Sequence, residues 1–567
     1  MKKIGKILLV FMMIFSAISL QKNVYAYNEP LRFELLPLVQ DTDVSSISNY
    51  ASVYSEDEAR NIIGQRLKKA CLNGDSEISI EDLNLSKDKL NFISCLGYYF
   101  PFLSNGAELD KVAYRNNILT KLYITNTMTI DETKKYFDAV DQEVSSIISL
   151  VSPSMDDVMK ALTIHDYFVN YCKYQTDDFD DDSFRSGGII YRKEGVCQAY
   201  AYAYQYILNQ LGIECYIVSS DSMNHAWNIV EINHRYYHVD VTWDDPVLDE
   251  FGRVGHQYFL LSDEEIINKE HHDWDRTDLK CDDKKYDVYY WNDVTSPIVY
   301  DEENTFFARS DGIYRRNIKT SNETLIKKSD KWHVFGNNDG YWLGNFSSLF
   351  MKNHKLYYNT STQIRCMDEN GENDKEIYTP DTSNGYVYGI RYNNNYIEYA
   401  IQKEPLVEEQ VLFRVAMPVD ITQITLPSHL ELGVGTVKKL DYSILPVDYT
   451  EKVTWSSDHP EIVEVDQEGN IQCKALGNAI ITVTSESGVS SQCQIQVIDK
   501  LKGLGDINED GKVDFLDAIT VLRYDAEIIQ LSDYQMKVAE VNKDGKVDFL
   551  DAIMILRYDA EIIDRFN

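Results

Sequence analysis

The sequence predicts a multidomain chain: an α+β core, an irregular β-rich region, a β-sandwich and a small all-α module near the C-terminus. Three observations lead there. The helix-like stretch AYAYAYQYIL is followed by three strand-like runs, ECYIVSS, HAWNIVEI and RYYHVDVTW. Residues 421–498 alternate short β-branched and aromatic runs with turn residues. DGKVDFLDAI at 510–519 returns at 544–553, and LRYDAEII at 522–529 returns at 556–563.

At 567 residues the chain is too long for one core, and about three to five domains are expected. Its 55 basic and 91 acidic side chains leave a formal net charge of −36. No basic stripe is available for phosphate, so nucleic acid is excluded as a partner. Clustered carboxylates instead suit calcium. Residues 1–26 read as a signal peptide: Lys2, Lys3 and Lys6 precede an apolar run, and Val24 and Ala26 are the small residues before a cleavage point. No later stretch has the ~20 apolar residues of a membrane span, so the mature protein is expected to be secreted with no transmembrane segment. The nine cysteines form no CxxC pair, which disfavours zinc. Their odd number fits one thiol kept free, and Cys473 and Cys493 are close enough in sequence to pair.

In order along the chain, residues 27–129 form a mixed, partly helical region, with helices predicted over Ser55–Ala70 and Asp131–Leu150. Ser154-Met155-Asp156-Asp157 is a helix start with acids in the first turn, and Val158, Leu162, His165 and Val169 share one face of the helix that follows. TDDFDDDS is a solvated loop. The α+β core is expected over 130–290. Residues 296–415 are rich in short aromatic strands, and DGIYRRNIKTSNETLIKKSDKW and QIRCMDENGENDKEIYTPDTSNGYV are loose copies of one strand–turn–strand unit, which suggests a propeller-like region. Its aromatics serve as core and cross-strand pairs, with sugar contact as the alternative.

The chemistry centres on Cys197. A thiol becomes a nucleophile when a helix N-terminus or an imidazole lowers its pKa. Gly195 and Val196 bring no capping side chain, so the first N–H groups of the helix can face a thiolate or an oxyanion. Asn233-His234 can take the positive φ of a two-residue hairpin turn. That turn pairs Ile232 with Arg235, Trp227 with Asp240 and His225 with Thr242. His225 and Asp240 then share one face, diagonal to each other and within hydrogen-bond reach. Ala226, Val230, Ile232, Tyr237, Val239 and Val241 form the opposite, core-facing side. His165, His234, His238, His256, His271 and His272 have no such geometry and are read as packing or surface residues.

GVCQAYAYAYQYIL, GIECYIVSS, NHAWNIVEINHRYYHVDVTWDDP and YFLLSDEEI resemble, in this order, the core of the transglutaminase-like superfamily, whose fold is papain-like. KALTIHDYFVNYCKY resembles the helix that introduces that core in bacterial members. The resemblance covers residues 130–275. It implies Cys197 as nucleophile, His225 as general base and acid, Asp240 as orienting carboxylate and the Cys197 N–H as oxyanion donor. Animal protein-crosslinking members have Trp where this chain has Gln198, and Tyr191 stands at the place of the papain-type glutamine, so the second oxyanion donor is unassigned. The expected activity is that of a cysteine peptidase, amidase or acyltransferase on a peptide or protein substrate, with no cofactor at the thiol site. The alternatives are a catalytically idle structural protein contacting polysaccharide or cell wall, and a crosslinking transglutaminase.

VTWSS at 453–457, IVEVDQEGNI at 462–471 and ALGNAIITVTS at 475–485 make residues 421–498 resemble the bacterial immunoglobulin-like group 2 domain, a β-sandwich that implies a spacer or adhesive module.

Each C-terminal repeat opens with a twelve-residue calcium-loop pattern. In the first, Asp506, Asn508, Asp510, Asp514 and Asp517 occupy positions 1, 3, 5, 9 and 12, with the Lys512 carbonyl at 7. In the second these are Glu540, Asn542, Asp544, Asp548 and Asp551, with the Lys546 carbonyl at 7. Gly511 and Gly545 sit where the loop needs positive φ. A helix follows each loop, and residues 503–567 resemble the type I dockerin. The resemblance implies two Ca2+ sites and docking to a cohesin of a cellulosome-type scaffold protein. Phe515, Leu516, Phe549 and Leu550 stand at the positions dockerins use for partner choice. Glu540 departs from the usual Asp at position 1, so the second site is expected to be weaker or shifted.

Overall fold

The computed structural model describes residues 31–42, 54–245, 250–329, 332–335, 341–344, 347–403, 411–498 and 503–566; the predicted signal peptide lies outside them. The chain divides into two compact units, Met1–Ala416 and Met417–Asn567.

The first unit begins with a four-stranded sheet, β1 (Leu38–Gln40), β3 (Ala107–Arg115), β4 (Ile118–Asn126) and β2 (Glu77–Ser79) in that spatial order. Helices α1 (Glu56–Asn73), α2 (Leu90–Tyr99) and α3 (Ile130–Ile148) share its core through Ile63, Leu67, Ile93, Val112, Leu122 and Phe137. The start of α1 is set by a capping box between Ser55 and Glu58, and that of α3 by Thr129 with Glu132. Gly74, in the left-handed region at φ 76°, ends α1.

A second core forms around α4 (Asp157–Tyr171) and α5 (Cys197–Gln210). Asp156 caps α4, accepting from the Met159 N–H at 2.9 Å, and the predicted face of Val158, Leu162, His165 and Val169 is buried. The helix α5 is apolar nearly all round, the pattern of a helix with no solvent face. Tyr200, Tyr204 and Ile207 belong to the second core, while Tyr202 belongs to the first. Its buried tyrosines keep their hydroxyls partnered: Tyr204 donates to the Ala161 carbonyl at 2.9 Å, and Tyr200 donates to Asp245. Asn228 ties the sheet to this helix through the Ala201 carbonyl at 3.0 Å.

That sheet runs β10 (Phe259–Leu261), β9 (Arg235–Val239), β8 (His225–Ile232), β7 (Cys215–Ser220), all antiparallel. The β8–β9 turn has Asn233 at φ 51° and His234 at φ 61°, and the register pairs Ile232 with Arg235 and Asn228 with Val239. Pairing stops there. The expected pairs of Trp227 with Asp240 and His225 with Thr242 do not form, because Asp240 caps a short helix, Val241–Asp244, that turns the chain off the sheet.

His165 lies at the interface between α4 and this turn. It is fully buried, with Nδ1 3.0 Å from Asp166 and Nε2 3.2 Å from Asp244, while His256 bonds the same Asp166 oxygen at 3.0 Å. Burial opposes its charge, but the hydrogen bonds and fields of Asp166 and Asp244 prevail and raise its pKa to about 9.

Residues 299–378 contain two antiparallel four-stranded meanders, and the two sequence copies fall on their equivalent last hairpins, Gly312–Asn317 with Glu323–Lys328 and Ile364–Asp368 with Lys375–Tyr378. Phe306, Phe307, Tyr357 and Tyr358 are buried core residues, while Tyr378, Tyr396 and Phe413 are exposed. In the second unit, nine strands among the described residues of 421–498 form an immunoglobulin-like β-rich domain packed around Trp455. Cys473 and Cys493 do not pair: both are buried free thiols, placed by strands of different sheets, Asn470–Cys473 and Ser490–Ile498. The remainder folds as α6 (Phe515–Asp525), α7 (Asp533–Ala539) and α8 (Phe549–Asp559), with no regular helix before the first loop among the described residues.

His165 holds its proton to about pH 9 in the folded chain and to only about 6.5 when unfolded. Its stabilisation is therefore complete below pH 6.5 and lost as pH rises through 9. His165→Gln is expected to flatten the pH dependence of the calorimetric unfolding midpoint across that window relative to wild type. Equal slopes in the two proteins contradict the assignment.

Candidate active site

Cys197 is the first residue of α5, behind Val196, which supplies no side-chain cap. The helix N-terminus therefore presents its first N–H groups and its positive dipole end to the thiol without a cap from Val196. Cys197 and His225 are 5% and 6% exposed, on the wall of a groove shared with Tyr174, Phe184, Thr242 and Trp243. The Nε2 of His225 is 2.6 Å from the Asp240 Oδ2, and the ring shares the groove wall with Cys197. With Nε2 engaged by Asp240, Nδ1 is the nitrogen left for the thiol. Burial works against an imidazolium here, but Asp240 and Cys197 together outweigh it and push the His225 pKa up to about 10.

Asp240 is completely buried and accepts four hydrogen bonds. Its Oδ1 receives the N–H groups of Thr242 and Trp243, both at 3.1 Å. Its Oδ2 receives His225 and, at 2.8 Å, His271 Nε2. Burial would raise its pKa, but the two histidines hold it well below the usual carboxylate range. His271 shifts the other way: burial lowers its pKa, which keeps it neutral. The arrangement thus places an imidazolium between an anionic carboxylate and the thiol.

Two of these residues were not legible in the sequence. His271, expected as a packing or surface residue, has its ring 4.3 Å from that of Trp243 and shares the Asp240 oxygen with His225. Tyr174 carried no motif; it comes from the short strand β5 (Lys173–Tyr174) and lies on the groove wall beside the Cys197 backbone. Trp227 is not a groove residue: it is buried and donates from Nε1 to His238 Nδ1 at 3.0 Å. Tyr191 is exposed and packs on Tyr136 away from the groove.

The C-terminal loops are closed by their own acids. Asp506 accepts from the Asp510 and Gly511 N–H groups at 3.1 and 3.0 Å, and Asn508 accepts from Asp510 at 2.8 Å. In the second loop Glu540 reaches the Gly545 N–H at 2.7 Å, and Asn542 takes the Asp544 N–H alone at 2.9 Å. Gly511 and Gly545 stand at φ 86° and 87°. Asp510 and Asp544 turn the Lys512 and Lys546 peptides by accepting their N–H groups, both at 3.0 Å. Asp514 and Asp548 cap α6 and α8, and the buried Asp517 and Asp551 each accept three backbone N–H groups. Among the described residues no basic side chain pairs with any of these carboxylates. Phe515, Leu516, Phe549 and Leu550 are exposed by 52%, 44%, 50% and 43%, the same in both copies.

Comparison with known proteins gives three family matches. The transglutaminase-like superfamily model matches residues 147–241. This chain carries a transglutaminase-like domain. A bacterial Ig-like domain (group 2) matches residues 420–496, and a dockerin type I domain matches residues 504–558. An uncharacterized protein of Clostridium acetobutylicum is 42% identical over 72 residues, 12% of this chain and 18% of the relative's length. A crystal structure of a TGase is 17% identical, over 24% of this chain and 45% of its own, with a TM-score of 0.17. A bacterial Ig-like-domain-containing GH10 xylanase from termite gut is 20% identical, over 16% and 23% of the two chains, with a TM-score of 0.12. No helix among the described residues is long and apolar enough to cross a membrane. Dockerin type I domains bind calcium, and the all-oxygen donor set of the two loops, rich in uncompensated carboxylates, fits that ion.

In the transglutaminase-like domain the charge on Asp240 sustains the His225 imidazolium. Asp240→Asn is expected to lower the midpoint of His225 titration, followed by NMR of labelled histidine, by about 1–3 pH units. An unchanged midpoint contradicts the electrostatic role.

Proposed function

We propose that this chain is a secreted, scaffold-borne thiol enzyme that acts on peptide-like amides. The observation that carries the reading is the Cys197–His225–Asp240 grouping, with the carboxylate 2.6 Å from the imidazole Nε2 and the thiol on the same groove wall as the ring. Cys197 Sγ attacks the amide carbonyl carbon, and the carbonyl electron pair moves to oxygen. The Cys197 N–H stabilises that oxyanion. Tyr174, on the groove wall beside this N–H, donates its hydroxyl proton to the oxyanion as the second hydrogen bond. His225 then gives its proton to the departing amine as the C–N bond breaks, leaving a thioester. Water or an incoming amine attacks the thioester, with His225 taking the proton, and the thiolate leaves. Asp240 holds the imidazole in place throughout.

Residues 503–567 are the anchor in this reading. Asp506, Asn508, Asp510, the Lys512 carbonyl, Asp514 and Asp517 would hold one Ca2+, and Glu540, Asn542, Asp544, the Lys546 carbonyl, Asp548 and Asp551 would hold the other. Calcium would supply the cross-link that orders each loop, while Phe515-Leu516 and Phe549-Leu550 present the apolar contact to a cohesin, and either copy can face it. Residues 1–26 direct export. The repeated meanders act as propeller-like blades and, with the immunoglobulin-like domain, as spacers.

Iodoacetamide at neutral pH is expected to label Cys197, with no label at that position in Cys197→Ala and labelling about a hundredfold slower in His225→Ala. An unreactive thiol in the wild type sinks the enzyme reading. Tyr174→Phe should slow thioester formation by about 10²–10³-fold while affecting alkylation, which forms no oxyanion, far less. Incorporation of a labelled primary amine into product distinguishes transamidation from hydrolysis. Glu540→Asp is expected to raise the affinity of the second loop for calcium, read by calorimetry. Cohesin binding that survives calcium chelation contradicts the docking mechanism.

A further inference from the structure

Gln198 follows Cys197 in the chain, and Asn224 precedes His225. Both side chains read the backbone of a distant segment. Gln198 is fully buried; its Oε1 accepts the Arg32 N–H at 2.9 Å and its Nε2 donates to the Arg32 carbonyl at 3.0 Å. Asn224, held in the left-handed region at φ 48°, accepts the Leu31 N–H at 2.9 Å. Three main-chain groups of an extended segment are therefore satisfied by side chains that flank the thiol and the imidazole. Leu31 itself joins Cys197 and His225 in lining the groove.

Elsewhere the segment is held by partly exposed contacts: Arg32 lies over the Phe184 ring at 4.3 Å, Phe33 meets Tyr98 edge-on at 6.5 Å, Leu36 packs on the first core and the Pro37 carbonyl accepts the Val112 N–H at 2.9 Å. No residue from Leu31 to Pro37 is buried, and Phe33 and Leu35 are 43% and 59% exposed. Its further polar ties include an exposed ion pair of Arg32 with Asp181 at 2.7 Å and the Leu36 N–H on Ser94 Oγ at 3.0 Å. Such segments open at low cost. If it leaves, Gln198 loses the partner of both its amide groups, a penalty that another peptide backbone in the same place would remove. The contacts involve backbone atoms only, so they recognise any extended polypeptide rather than one sequence.

We propose that Gln198 and Asn224 form a main-chain-reading subsite for an extended peptide, and that Leu31–Arg32 fills it in the resting chain as an intramolecular competitor. Substrate enters by displacing this strap. The proposal rests on the reading of Cys197 as a nucleophile toward peptide-like amides.

The test uses two chains, one beginning at Tyr27 and one at Pro37, both carrying Cys197→Ala so that binding is read without chemistry. The probe is a fluorescein-labelled peptide, Leu-Arg-Phe-Glu-Leu-Leu-Pro, followed by anisotropy. The Pro37 chain is expected to bind it saturably, and at least about tenfold more tightly than the Tyr27 chain. Gln198→Ala should abolish the difference. Arg32→Pro in the Tyr27 chain deletes the N–H that Gln198 accepts, keeps every other residue, and should also strengthen peptide binding. Equal binding by the Tyr27, Pro37 and Arg32→Pro chains, or binding indifferent to Gln198→Ala, overturns the proposal. Iodoacetamide labelling of the chains with Cys197 intact reports the nucleophile separately. A dead thiol with strap-dependent peptide binding defeats the enzyme reading alone, whereas a reactive thiol with no peptide binding defeats the subsite alone.

Discussion

The buried Asp240 carboxylate is the group on which the site's geometry depends. It sits where β9 ends and a short helix begins, so its Oδ1 takes the first N–H groups of that helix. Its Oδ2 is then left facing two histidines, and only one of them, His225, is charged. A buried anion is costly unless hydrogen bonds and an opposite charge compensate it, and here both are present. The same bonds fix the direction in which the imidazole meets Cys197. Fold termination and the proposed catalytic electrostatics are one arrangement.

Helix α5 is the mechanical counterpart. It lies between two cores, and its tyrosine hydroxyls and glutamines bond outward to neighbouring elements: Tyr204 to α4, Gln205 to the Cys215 carbonyl of β7, Gln198 to the N-terminal segment. A helix anchored on every side cannot shift without breaking packed contacts, so the position of Cys197 at its start is well defined. The His165–Asp166–His256 cluster locks α4 to the turn that follows Asp240. Groove rigidity thus comes from buried polar networks as much as from apolar packing.

The second unit applies a different economy. Its loops concentrate acids with no basic partner among the described residues, and its helices expose matched apolar residues. Charge without a counter-ion and apolar surface without cover both look outward, to a cation and to a protein partner. In the first unit the buried Asp240 and Asp166 carboxylates are instead paired with buried histidines.

Much of this was written locally. The Cys197 helix start, the Asn233-His234 turn and the doubled loops each follow from residues within one short window, and a two-residue turn determines the register that brings His225 near Asp240. Four things had no local signal. The chain leaves the sheet at Asp240 because that side chain caps a helix better than its neighbours can extend a strand. His271 reaches Asp240 across 31 positions, and Tyr174 reaches Cys197 from a separate strand. Cys473 and Cys493, close in sequence, are placed by different sheets. The sequence by itself determined which residues could do the chemistry and in what local conformation. Only the tertiary structure decided which distant donors meet them, because hydrogen-bond partners across the fold are chosen by packing and not by spacing.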